Sequence, residues 1–577
     1  MKIRQRENPF DDAGDFSAEI PEFLRDIYRA RGVNCDRDLG RRLADLPGPQ
    51  LLAGLEDALD LLDNALRQRQ RILVVGDFDA DGATSTALTL LALRAMGAAH
   101  VDFLVPDRFE YGYGLSPEIV ELALDRSPDL LITVDNGISS HTGVERARAA
   151  GIRVLVTDHH LPGESLPAAD AIVNPNQPGC AFPSKNLAGV GVVFYLLAAL
   201  RTRLRDNGWF RDAGLPEPAM ADWLDLVALG TVADVVPLDA VNRILVYQGL
   251  RRIRTGRCRQ GIVALLEAAG REPGRIAASD LGFAVGPRLN AAGRLDDMSH
   301  GIACLLAEDP HLARERAAEL DQLNRDRRTI ETGMQAQALK LVDGLGLNDE
   351  STLPWGLCLH DDQWHQGVIG LLASRIKDRL HRPVIAFADA GNGELKGSAR
   401  SIPALHIRDT LDAIAARHPH LLSKFGGHAM AAGMSIDRNH LADFSEAFDA
   451  EVRRRLSAGE MEREIWVDRP LTFADLTLDN AALLRDAGPW GQNFPEPLFR
   501  GEFFVVQHRV VGGNHFKFLL AEVPDREPFI DGIAFNVDSD WPRQGARRLD
   551  ALYRLSVNSW RGRESPQLLI ERILELS

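Results

Sequence analysis

Short runs of consecutive apolar residues alternate with helical stretches in the first half of the chain. The runs at 71–76, 129–134 and 151–157 are rich in β-branched residues and bounded by glycine or acidic residues, as is typical of buried parallel strands. Segment 139–150 is long enough for one crossover helix, and segment 84–96 is predicted to be helical. The pattern predicts an α/β domain with a parallel sheet, in which the strand ends share one edge.

The pattern changes twice farther along the chain. A charged, breaker-poor stretch at about 311–345 predicts a long connecting helix, and a second α/β pattern follows it. From about 460, short segments of alternating character separated by Gly and Asn predict a small β-barrel. The predicted domains are an N-terminal extension (1–50), an α/β core (51–305), the connecting helix (306–347), a second α/β domain (348–457) and the barrel (458–577).

Composition is that of a globular protein with several cores. The 577 residues include 45% hydrophobic and 26% charged residues. Five scattered cysteines form no Cys-x-x-Cys pair, which fits a reducing cytoplasm better than a disulfide framework or a zinc cluster. The longest apolar run, 190–200, is too short to span a bilayer, so we expect no membrane role.

The net charge of −16 argues against indiscriminate binding to duplex nucleic acid, because neutralising many phosphates requires a broad basic face. Nucleic acid could still bind in a local cationic groove. Two basic segments, 251–259 and 325–328, are candidates for such a groove, and each is equally well explained as a solvated helix face.

Three carboxylates, Asp77, Asp79 and Asp81, follow the first predicted strand at alternate positions. A calcium-binding EF-hand loop also opens in this way, but its twelfth position here is Leu88 and a strand precedes it where a helix is required. Helix capping by Asp81 would explain only one of the three. The segment therefore indicates a metal or phosphate site at the sheet edge where open α/β sheets bind ligands.

The other strands supply further candidate ligands. Asp135 follows the second predicted strand, and Asp158, His159 and His160 follow the third. Asp234 interrupts a run of valines after an apolar helical stretch, and a buried carboxylate there requires a paired charge or a metal. Together these residues predict one polar cluster along the sheet edge.

The ordered motifs resemble those of the DHH phosphoesterase superfamily and, within it, the RecJ family of single-strand-specific 5′ to 3′ DNA exonucleases. The resemblance spans nearly the whole chain. The motifs that carry it are Asp-Phe-Asp-Ala-Asp-Gly (77–82), Val-Asp-Asn-Gly (134–137), Asp-His-His (158–160), Gly-Thr-Val-Ala-Asp (230–234), and the later segments 286–294, 365–370, 396–401 and 426–433.

The resemblance implies two divalent ions, Mg²⁺ or Mn²⁺, which suit carboxylate oxygens and a single imidazole better than zinc does. Two such ions can bind a scissile phosphate, lower the pKa of a bridging water and stabilise the departing oxygen. One ion would be held by Asp77, Asp79 and a bridging Asp135, and the other by Asp81, Asp135, His159 and Asp234. Relatives often have His at the position of Asp77. Asp158 would orient the imidazoles, and His160 would contact the phosphate or transfer a proton.

The same resemblance implies where substrate binds. The second α/β domain would be a DHHA1 domain, and the barrel would be an OB-fold that binds single strands by stacking bases on aromatic side chains, with His515, Phe516 and Lys517 as contacts. A pocket for the 5′ phosphate would contain Arg108, Ser398 and Arg400. The remaining predicted substrate contacts are Arg288, Asn290, Arg294, Gly426, Gly427 and His428, of which the first three could equally pair the domains.

The predicted function is hydrolysis of single-stranded DNA from its 5′ end to mononucleotides, in repair and recombination. Two alternatives stay open at this point: a phosphodiesterase of the same superfamily acting on short oligonucleotides or cyclic dinucleotides, and a noncatalytic DNA-binding replication factor. Expected partners are single-stranded DNA, a single-strand-binding protein and a helicase. We expect a cytoplasmic monomer.

Overall fold

The structure is a computed structural model of the 577-residue chain. It describes residues 2–577 except 13, 107–110, 112–113, 345–352, 423, 513, 525, 538–540, 542–544 and 561. The chain forms two compact units, one of residues 5–321 and 466–577 and the other of residues 1–4 and 322–465.

A five-stranded parallel sheet with the order β3-β2-β4-β5-β6 forms the centre of the first unit. A short strand precedes it in the chain. The strands are β1 (Lys2–Gln5), β2 (Arg71–Gly76), β3 (His100–Leu104), β4 (Leu130–Val134), β5 (Arg153–Thr157) and β6 (Ala171–Val173).

Helices cover both faces of this sheet. The helices of this part of the chain are α1 (Glu22–Arg29), α2 (Leu55–Arg67), α3 (Ala80–Ala95), α4 (Pro117–Leu124), α5 (His141–Ala149), α6 (Gly189–Asp206), α7 (Trp209–Asp212), α8 (Leu224–Ala233), α9 (Ala240–Arg254), α10 (Gln260–Ala268), α11 (Ala278–Asp280), α12 (Gly286–Leu295) and α13 (Ser299–Leu306). Side chains alternate along each strand, so Leu131 packs with α4 and α5, whereas Ile132 and Val134 meet α2, α3 and α6.

A 35-residue helix, α14 (Pro310–Gly344), leads into the second unit. There a five-stranded mixed sheet has the order β10-β11-β9-β8-β7. Its elements are β7 (Leu357–His360), α15 (Ile369–Leu380), β8 (Val384–Gly391), β9 (Glu394–Arg400), α16 (Ile407–Arg417), β10 (Lys424–Gly427), β11 (Ala431–Asp437) and α17 (Leu441–Arg455). Its apolar core lies between the sheet and the two helices α16 and α17.

A closed five-stranded barrel forms the C-terminal part of the first unit. The strand β12 (Glu464–Val467), which pairs with β1, and the helix α18 (Leu478–Ala487) precede it. The barrel strands are β13 (Phe499–Val511), β14 (His515–Ala521), β15 (Phe529–Ala534), β16 (Arg548–Trp560) and β17 (Arg563–Leu576). The linker to the barrel is fixed by a buried ion pair, with Arg31 Nη1 2.6 Å from Asp468 Oδ1.

This architecture confirms the predicted fold class of a parallel α/β core, a long helix, a second α/β domain and an OB-like barrel. One boundary differs from the prediction. The helix α3 begins at Ala80, four residues before the predicted start at Thr84, because Asp79 caps it. In the part of the chain that the structure describes, no helix is long and apolar enough to cross a membrane.

Candidate metal centre

Three neighbouring strands end in register at one edge of the parallel sheet. Gly76 of β2 pairs with Val134 of β4, and Val134 pairs with Thr157 of β5. Asp77, Asp135 and Asp158 are the residues that follow these three positions. The common edge predicted from the apolar runs is thus present, and it brings the three carboxylates together.

The loop after β2 is shorter than the sequence pattern suggested. Asp79, and not Asp81, is the N-cap of α3, and its Oδ1 accepts from the backbone N–H groups of Asp81 (2.9 Å) and Gly82 (3.0 Å). A Cβ at Gly82 would lie 2.5 Å from the carbonyl oxygen of Asp77. The helix can start this early because position 82 has no side chain, and Asp81 is thereby placed in the first turn.

Asp81 is almost fully buried, and the start of α6 holds its carboxylate. The backbone N–H groups of Gly189 and Val190 donate to Asp81 at 2.6 and 3.0 Å. A Cβ at Gly189 would lie 2.7 Å from Cβ of Asp135, so this close approach requires glycine. Sequence reasoning missed Gly189 and Val190, because such residues within an apolar helical run carry no signal of their own.

Asp135 has a left-handed backbone conformation, with φ of 64°. Such a conformation is uncommon outside glycine, although Asp tolerates it better than most residues. The side-chain amide of Asn136 donates to the carbonyl oxygens of Val75 (3.2 Å) and Val134 (3.0 Å) and so ties the ends of β2 and β4 together. This local strain turns the Asp135 carboxylate toward its partners, as strained residues at functional sites often do.

His159 bridges two of the predicted ligands. Its Nε2 lies 3.1 Å from Asp135 Oδ1 and 3.5 Å from Asp234 Oδ2. Asp234 follows the last residue of α8, and Gly230, one turn earlier, allows the close packing of that helix, since a Cβ there would lie 2.9 Å from Asp81 Oδ1. The backbone of the two histidines is held by side-chain amides of Asn176 to His159 O (2.6 Å) and Asn174 to His160 O (2.9 Å). These two asparagines were also missed.

Ligand atoms converge in three groups, each with all its atoms within 4.8 Å of one another. The groups are Asp77, Asp79 and Asp135; Asp81, His159 and Asp234; and Asp135, His159 and His160. The first is the set that the family resemblance implies for one ion. The second contains three of the four ligands implied for the other ion. The fourth, Asp135, lies 3.1 Å from His159 Nε2.

Three carboxylates of this cluster, Asp81, Asp135 and Asp234, have raised pKa values. Burial and the neighbouring Asp79 raise the pKa of Asp81 to about 7. Burial, followed by the charge of Asp81 and other nearby carboxylates, holds the pKa values of Asp135 and Asp234 well above the usual range for Asp. Hard oxygen donors with one imidazole suit Mg²⁺ or Mn²⁺, and a divalent cation would relieve the repulsion. The residues present therefore fit the implied ions.

Asp158 is buried but behaves differently. Its carboxylate accepts from the backbone N–H groups of Ile138 (2.9 Å), His159 (2.7 Å) and His160 (3.0 Å), and from the imidazole Nδ1 of His160 at 2.8 Å. Burial opposes its ionisation, but the bonds and charge of His160 outweigh burial and lower its pKa. For His160, burial lowers the pKa, but the hydrogen bond to Asp158 more than compensates. The pKa of His160 therefore rises to about 8. Asp158 thus contacts the ring of His160, and it accepts a hydrogen bond from the backbone N–H of His159.

The predicted substrate contacts on α12 lie in different surroundings from those expected. Arg288 is 8% exposed, and its guanidinium pairs with Asp321 at 2.8 Å and donates to Ala284 O. This placement favours internal pairing over contact with DNA. The side-chain oxygen of Asn290 accepts from Ala80 N–H at 2.7 Å, so Asn290 supports the metal loop. Arg294 is half-buried at the end of the same helix.

Ser398 and Arg400 face the start of α15 within the second unit. Arg400 Nη1 donates to Ser398 Oγ at 3.1 Å. A Cβ at Gly370, in the first turn of α15, would lie 2.8 Å from Arg400 Nη2 and 3.0 Å from Ser398 Oγ. A guanidinium, a hydroxyl and a helix N-terminus are a donor set for phosphate oxygens. Arg108, the third predicted member of this pocket, lies outside the described residues.

The predicted glycines lie on strands beside this pocket. Ser398 pairs with Gly433 on β11, and Gly433 pairs with Gly426 on β10. Nothing lies within 4 Å of a Cβ placed at either glycine, so the row is open beside Ser398. Gly427 has φ of 147°, and His428 follows it with an exposed side chain. The motif 426–433 therefore forms the paired ends of β10 and β11 and the turn between them.

The basic segments and the predicted barrel contacts are only partly exposed. In segment 251–259, Arg252 pairs with Asp222, and Arg259 donates to Asp222 O. In segment 325–328, Arg327 is buried and bonded to Glu331. Neither segment is an open cationic groove throughout.

In the barrel, Phe516 is 3% exposed and belongs to the core, because inward-facing side chains alternate along β14. Lys517 and His515 are partly exposed.

Three family comparisons divide the chain as the fold does. Residues 71–231 match the DHH family N-terminal domain, residues 353–454 match the DHHA1 domain, and residues 467–572 match the RecJ OB domain. Each predicted metal ligand except Asp234 lies within the first match.

The chain also matches known proteins over nearly its full length. The chain is 55% identical over 574 residues to the single-stranded-DNA-specific exonuclease RecJ of Escherichia coli (strain K12), and the match covers 99% of each chain. The fold is similar to the crystal structure of RecJ in complex with Mn²⁺ from Thermus thermophilus, with a TM-score of 0.77 and 31% identity, covering 100% of this chain and 80% of that chain. The Mg²⁺ complex from the same organism gives a TM-score of 0.72 and 29% identity, covering 100% and 79%.

Proposed function

The chain belongs to the RecJ family of single-stranded-DNA-specific exonucleases, and we propose that it removes 5′-mononucleotides from the 5′ end of single-stranded DNA. The protein is a metal-dependent phosphodiester hydrolase. The observation that carries this function is the convergence of five carboxylates and two imidazoles at one sheet edge, in groups whose ligand atoms lie close enough together to hold a cation. A scaffold protein has no physical need for so many buried like charges.

Two divalent ions, Mg²⁺ or Mn²⁺, would be held by Asp77, Asp79 and Asp135 on one side and by Asp81, His159 and Asp234 on the other, with Asp135 shared. When bound, they would polarise the scissile phosphate and lower the pKa of the attacking water. The protein supplies a rigid frame for them, because the strand ends, the α6 N-terminus and Asn136 fix the carboxylates before substrate arrives.

His160 is the side chain best suited to meet the reacting phosphate. Its Nδ1 donates to Asp158, so Nε2 is the nitrogen that would donate to a phosphate oxygen or to the departing O3′. In the reaction, water attacks phosphorus, and the bond from phosphorus to O3′ of the terminal nucleotide breaks. The product is a 5′-mononucleotide, and the shortened strand keeps a 5′ phosphate.

The proposed polarity depends on Ser398 and Arg400. Their hydroxyl and guanidinium groups beside the α15 N-terminus would bind the 5′ phosphate, and the open row of Gly426 and Gly433 would let the strand approach the sheet closely. Since every cleavage leaves a new 5′ phosphate, such a pocket would engage the strand again after each step. Arg108 is proposed as a third member on resemblance alone.

The wider setting is proposed from the same relationship. The barrel would hold the strand downstream of the cleavage site, and a cytoplasmic monomer would act in recombination and mismatch repair. A single-strand-binding protein would present the substrate, and a helicase would unwind duplex ahead of the enzyme. These partners follow from the requirement for single-stranded DNA.

The test is a degradation assay with Mn²⁺ and single-stranded DNA labelled at its 3′ end. The blunt duplex of the same sequence, a dinucleotide and the Asp135→Ala variant are run in parallel, each strand with either a 5′ phosphate or a 5′ hydroxyl. We expect the labelled single strand to shorten progressively, the duplex and the variant reaction to stay intact, and Arg400→Ala to lose the preference for a 5′ phosphate.

Other outcomes point to the alternatives. Cleavage of the dinucleotide alone would indicate a small-substrate phosphodiesterase, and binding without any cleavage would indicate a noncatalytic factor. A 3′-labelled strand that loses its label at the first step would reverse the proposed polarity.

A further inference from the structure

The loop 174–186, between β6 and α6, begins beside the two histidines of the metal centre. The side-chain amide of Asn176 donates to the carbonyl oxygen of His159 at 2.6 Å and to that of Lys185, near the other end of the loop, at 3.2 Å. The backbone N–H of Asn176 donates to Asn174 Oδ1 at 2.7 Å. One side chain therefore joins His159 to the end of the loop.

The end of the loop is in turn bonded to the segment that carries Asp234. Asn242, in the first turn of α9, is fully buried, and its side-chain amide donates to Asn186 O at 2.6 Å and to Pro237 O at 2.9 Å. Asn186 follows Lys185 directly, and Pro237 lies three residues after Asp234. A second side-chain amide thus joins the loop to the segment after α8.

Asp239 reinforces this second contact. Its Oδ2 accepts from Ser184 Oγ at 2.6 Å and from the side-chain amide of Asn186 at 3.1 Å. Its Oδ1 accepts from the backbone N–H of Asn242 at 3.1 Å and so caps α9. The end of the loop is therefore fixed to the start of α9 by several bonds.

The interior of the loop is also held in one shape. Lys185 Nζ donates to the carbonyl oxygens of Pro175 (2.6 Å) and Cys180 (2.8 Å) and so ties the two ends of the loop to each other. Gln177 donates to Ile172 O at 3.0 Å and fixes the loop to β6. A loop held in this way passes the position of one end on to the other.

The two segments that the loop joins carry ligands of the same predicted ion. His159 Nε2 lies 3.5 Å from Asp234 Oδ2, and both belong to one ligand group with Asp81. The charges of Asp81 and Asp79 repel the carboxylate of Asp234. Because this repulsion favours movement of Asp234 away from the cluster, the segment requires a connection that holds it in place.

The backbone beside Asp234 provides a second, independent sign that this segment is held. Val235 has φ of 60°, a left-handed conformation that is a true outlier for a β-branched residue. Such strain persists only where the surrounding structure over-determines the backbone. The bond from Asn242 to Pro237, two residues farther along, supplies a constraint of this kind.

We propose that Asn176 and Asn242 are positioning residues, which act through the loop 174–186 to fix the distance between His159 and Asp234 so that both side chains can hold the same divalent ion. Each asparagine acts through backbone carbonyl groups, and other residues supply the ligand atoms. This inference rests on the proposed function, since it concerns an ion of the metal centre.

The test measures Mn²⁺ binding to the full-length protein by isothermal titration calorimetry, without DNA. Wild type should bind two ions. Asn176→Ala and Asn242→Ala should each weaken one ion about 10- to 100-fold, the usual effect of losing a partner that orients a metal ligand, and leave the other nearly unchanged. The double variant should lose no more than the weaker-binding single variant, because either change already interrupts the same connection.

Matched variants separate this effect from general damage. Asn480→Ala removes a comparable bond, from a side-chain amide to Asp475 O at 2.8 Å, and should leave both affinities unchanged. Lys185→Met should weaken the same ion as Asn176→Ala does, whereas Lys185→Arg, which keeps the donors, should bind like wild type.

Two further measurements keep the test decisive. Excess Mn²⁺ should restore kcat in Asn176→Ala, because the variant lacks metal affinity and not catalytic groups. Asn242 is buried, so if its alanine variant does not fold, Asn176→Ala and Lys185→Met carry the test, since these two side chains are partly or fully exposed.

The inference is overturned if Asn176→Ala binds both ions with wild-type affinity, if it weakens both ions equally, or if the two single losses add in the double variant. Failure of the wild-type protein to shorten single-stranded DNA would instead count against the proposed function. The two failures are distinguishable, because the metal affinities are measured without DNA.

Discussion

The carboxylates at the sheet edge and the buried carboxylate of Glu451 have opposite electrostatic surroundings. At the sheet edge, Asp81, Asp135 and Asp234 lie among other carboxylates, and burial and mutual repulsion raise their pKa values. In the second unit, Glu451 on α17 is also almost fully buried, yet its pKa is lowered to about 2, because hydrogen bonds to Arg454, Arg417 and Arg455 outweigh the effect of burial.

The comparison separates a structural charge from a functional one. Glu451 Oε1 lies 2.5 Å from both Arg454 Nη2 and Arg455 Nε, and Arg417 bonds to its Oε2. Three guanidinium groups satisfy it within the fold. Among the described residues, the ion pairs of the sheet-edge cluster are made with imidazoles, and its raised pKa values show that these do not offset the repulsion. A buried charge that the fold leaves undercompensated marks the place where a cation binds.

Asp135→Asn should have the largest effect. Loss of the shared ligand removes several kcal/mol of charge stabilisation from the transition state, so we expect exonuclease activity to fall on the order of 10³-fold or more. The free energy of unfolding of the metal-free variant should not decrease, because one repelling charge is gone. Degradation of 3′-labelled DNA measures the activity, and urea unfolding in the presence of EDTA measures the free energy of unfolding. A variant that is stable and fully active would contradict the expectation that Asp135 is the shared metal ligand.

Mn²⁺ should stabilise the folded protein by about 2.7 kcal/mol at a hundredfold excess over Kd. The raised pKa values mean that the metal-free fold holds protons that the unfolded chain, with ordinary Asp pKa values near 4, has released. Its stability therefore falls as the pH rises toward 7. Bound ions replace those protons, so at a fixed Mn²⁺ concentration the gain should grow from about pH 5 to about pH 8. Thermal unfolding with and without Mn²⁺ measures it. A gain that is independent of pH would contradict the expectation.

Asp158→Asn should reduce activity about 10- to 100-fold, the usual effect of losing a partner that orients a functional imidazole. The amide would keep the shape of the side chain but weaken the bond that holds His160. The pH profile of kcat should also shift toward lower pH, since the variant no longer raises the pKa of His160. An unchanged profile together with reduced activity would assign Asp158 a purely structural role.

Glu451→Ala should lower the free energy of unfolding by about 1–2 kcal/mol, because its arginine partners are partly exposed and water compensates for much of the loss. The lowered pKa makes this contribution complete above about pH 4.5 and lost only as the pH falls toward 2. The difference from wild type should thus be constant between about pH 5 and 8, with unchanged activity. Glu446→Ala, an exposed glutamate on the same helix, is the control and should be neutral.

The grouping of candidate ligands at the sheet edge could be predicted largely from the sequence, because each of them follows a recognisable strand or motif. Asp77, Asp135 and Asp158 all come directly after apolar runs, and parallel strands bring such positions together. The residues that hold these ligands in place could not be predicted. Gly189, Val190, Asn174 and Asn176 act through backbone groups or single amides, and such residues are common in sequences with no site at all.

Surface contacts were predicted less well for a related reason. Arg252, Arg288 and Arg327 were candidates for binding DNA. In the folded chain, each of them forms an ion pair with a carboxylate of the same chain. A sequence does not show which carboxylate a long side chain will meet.

Anomalous diffraction from crystals grown with Mn²⁺ would test the central claim most directly. The account predicts two manganese peaks about 3.5–4 Å apart at the sheet edge, with Asp135 contacting both and both peaks weakened in Asp135→Asn. A single peak, or peaks away from Asp77, Asp81 and Asp234, would contradict it.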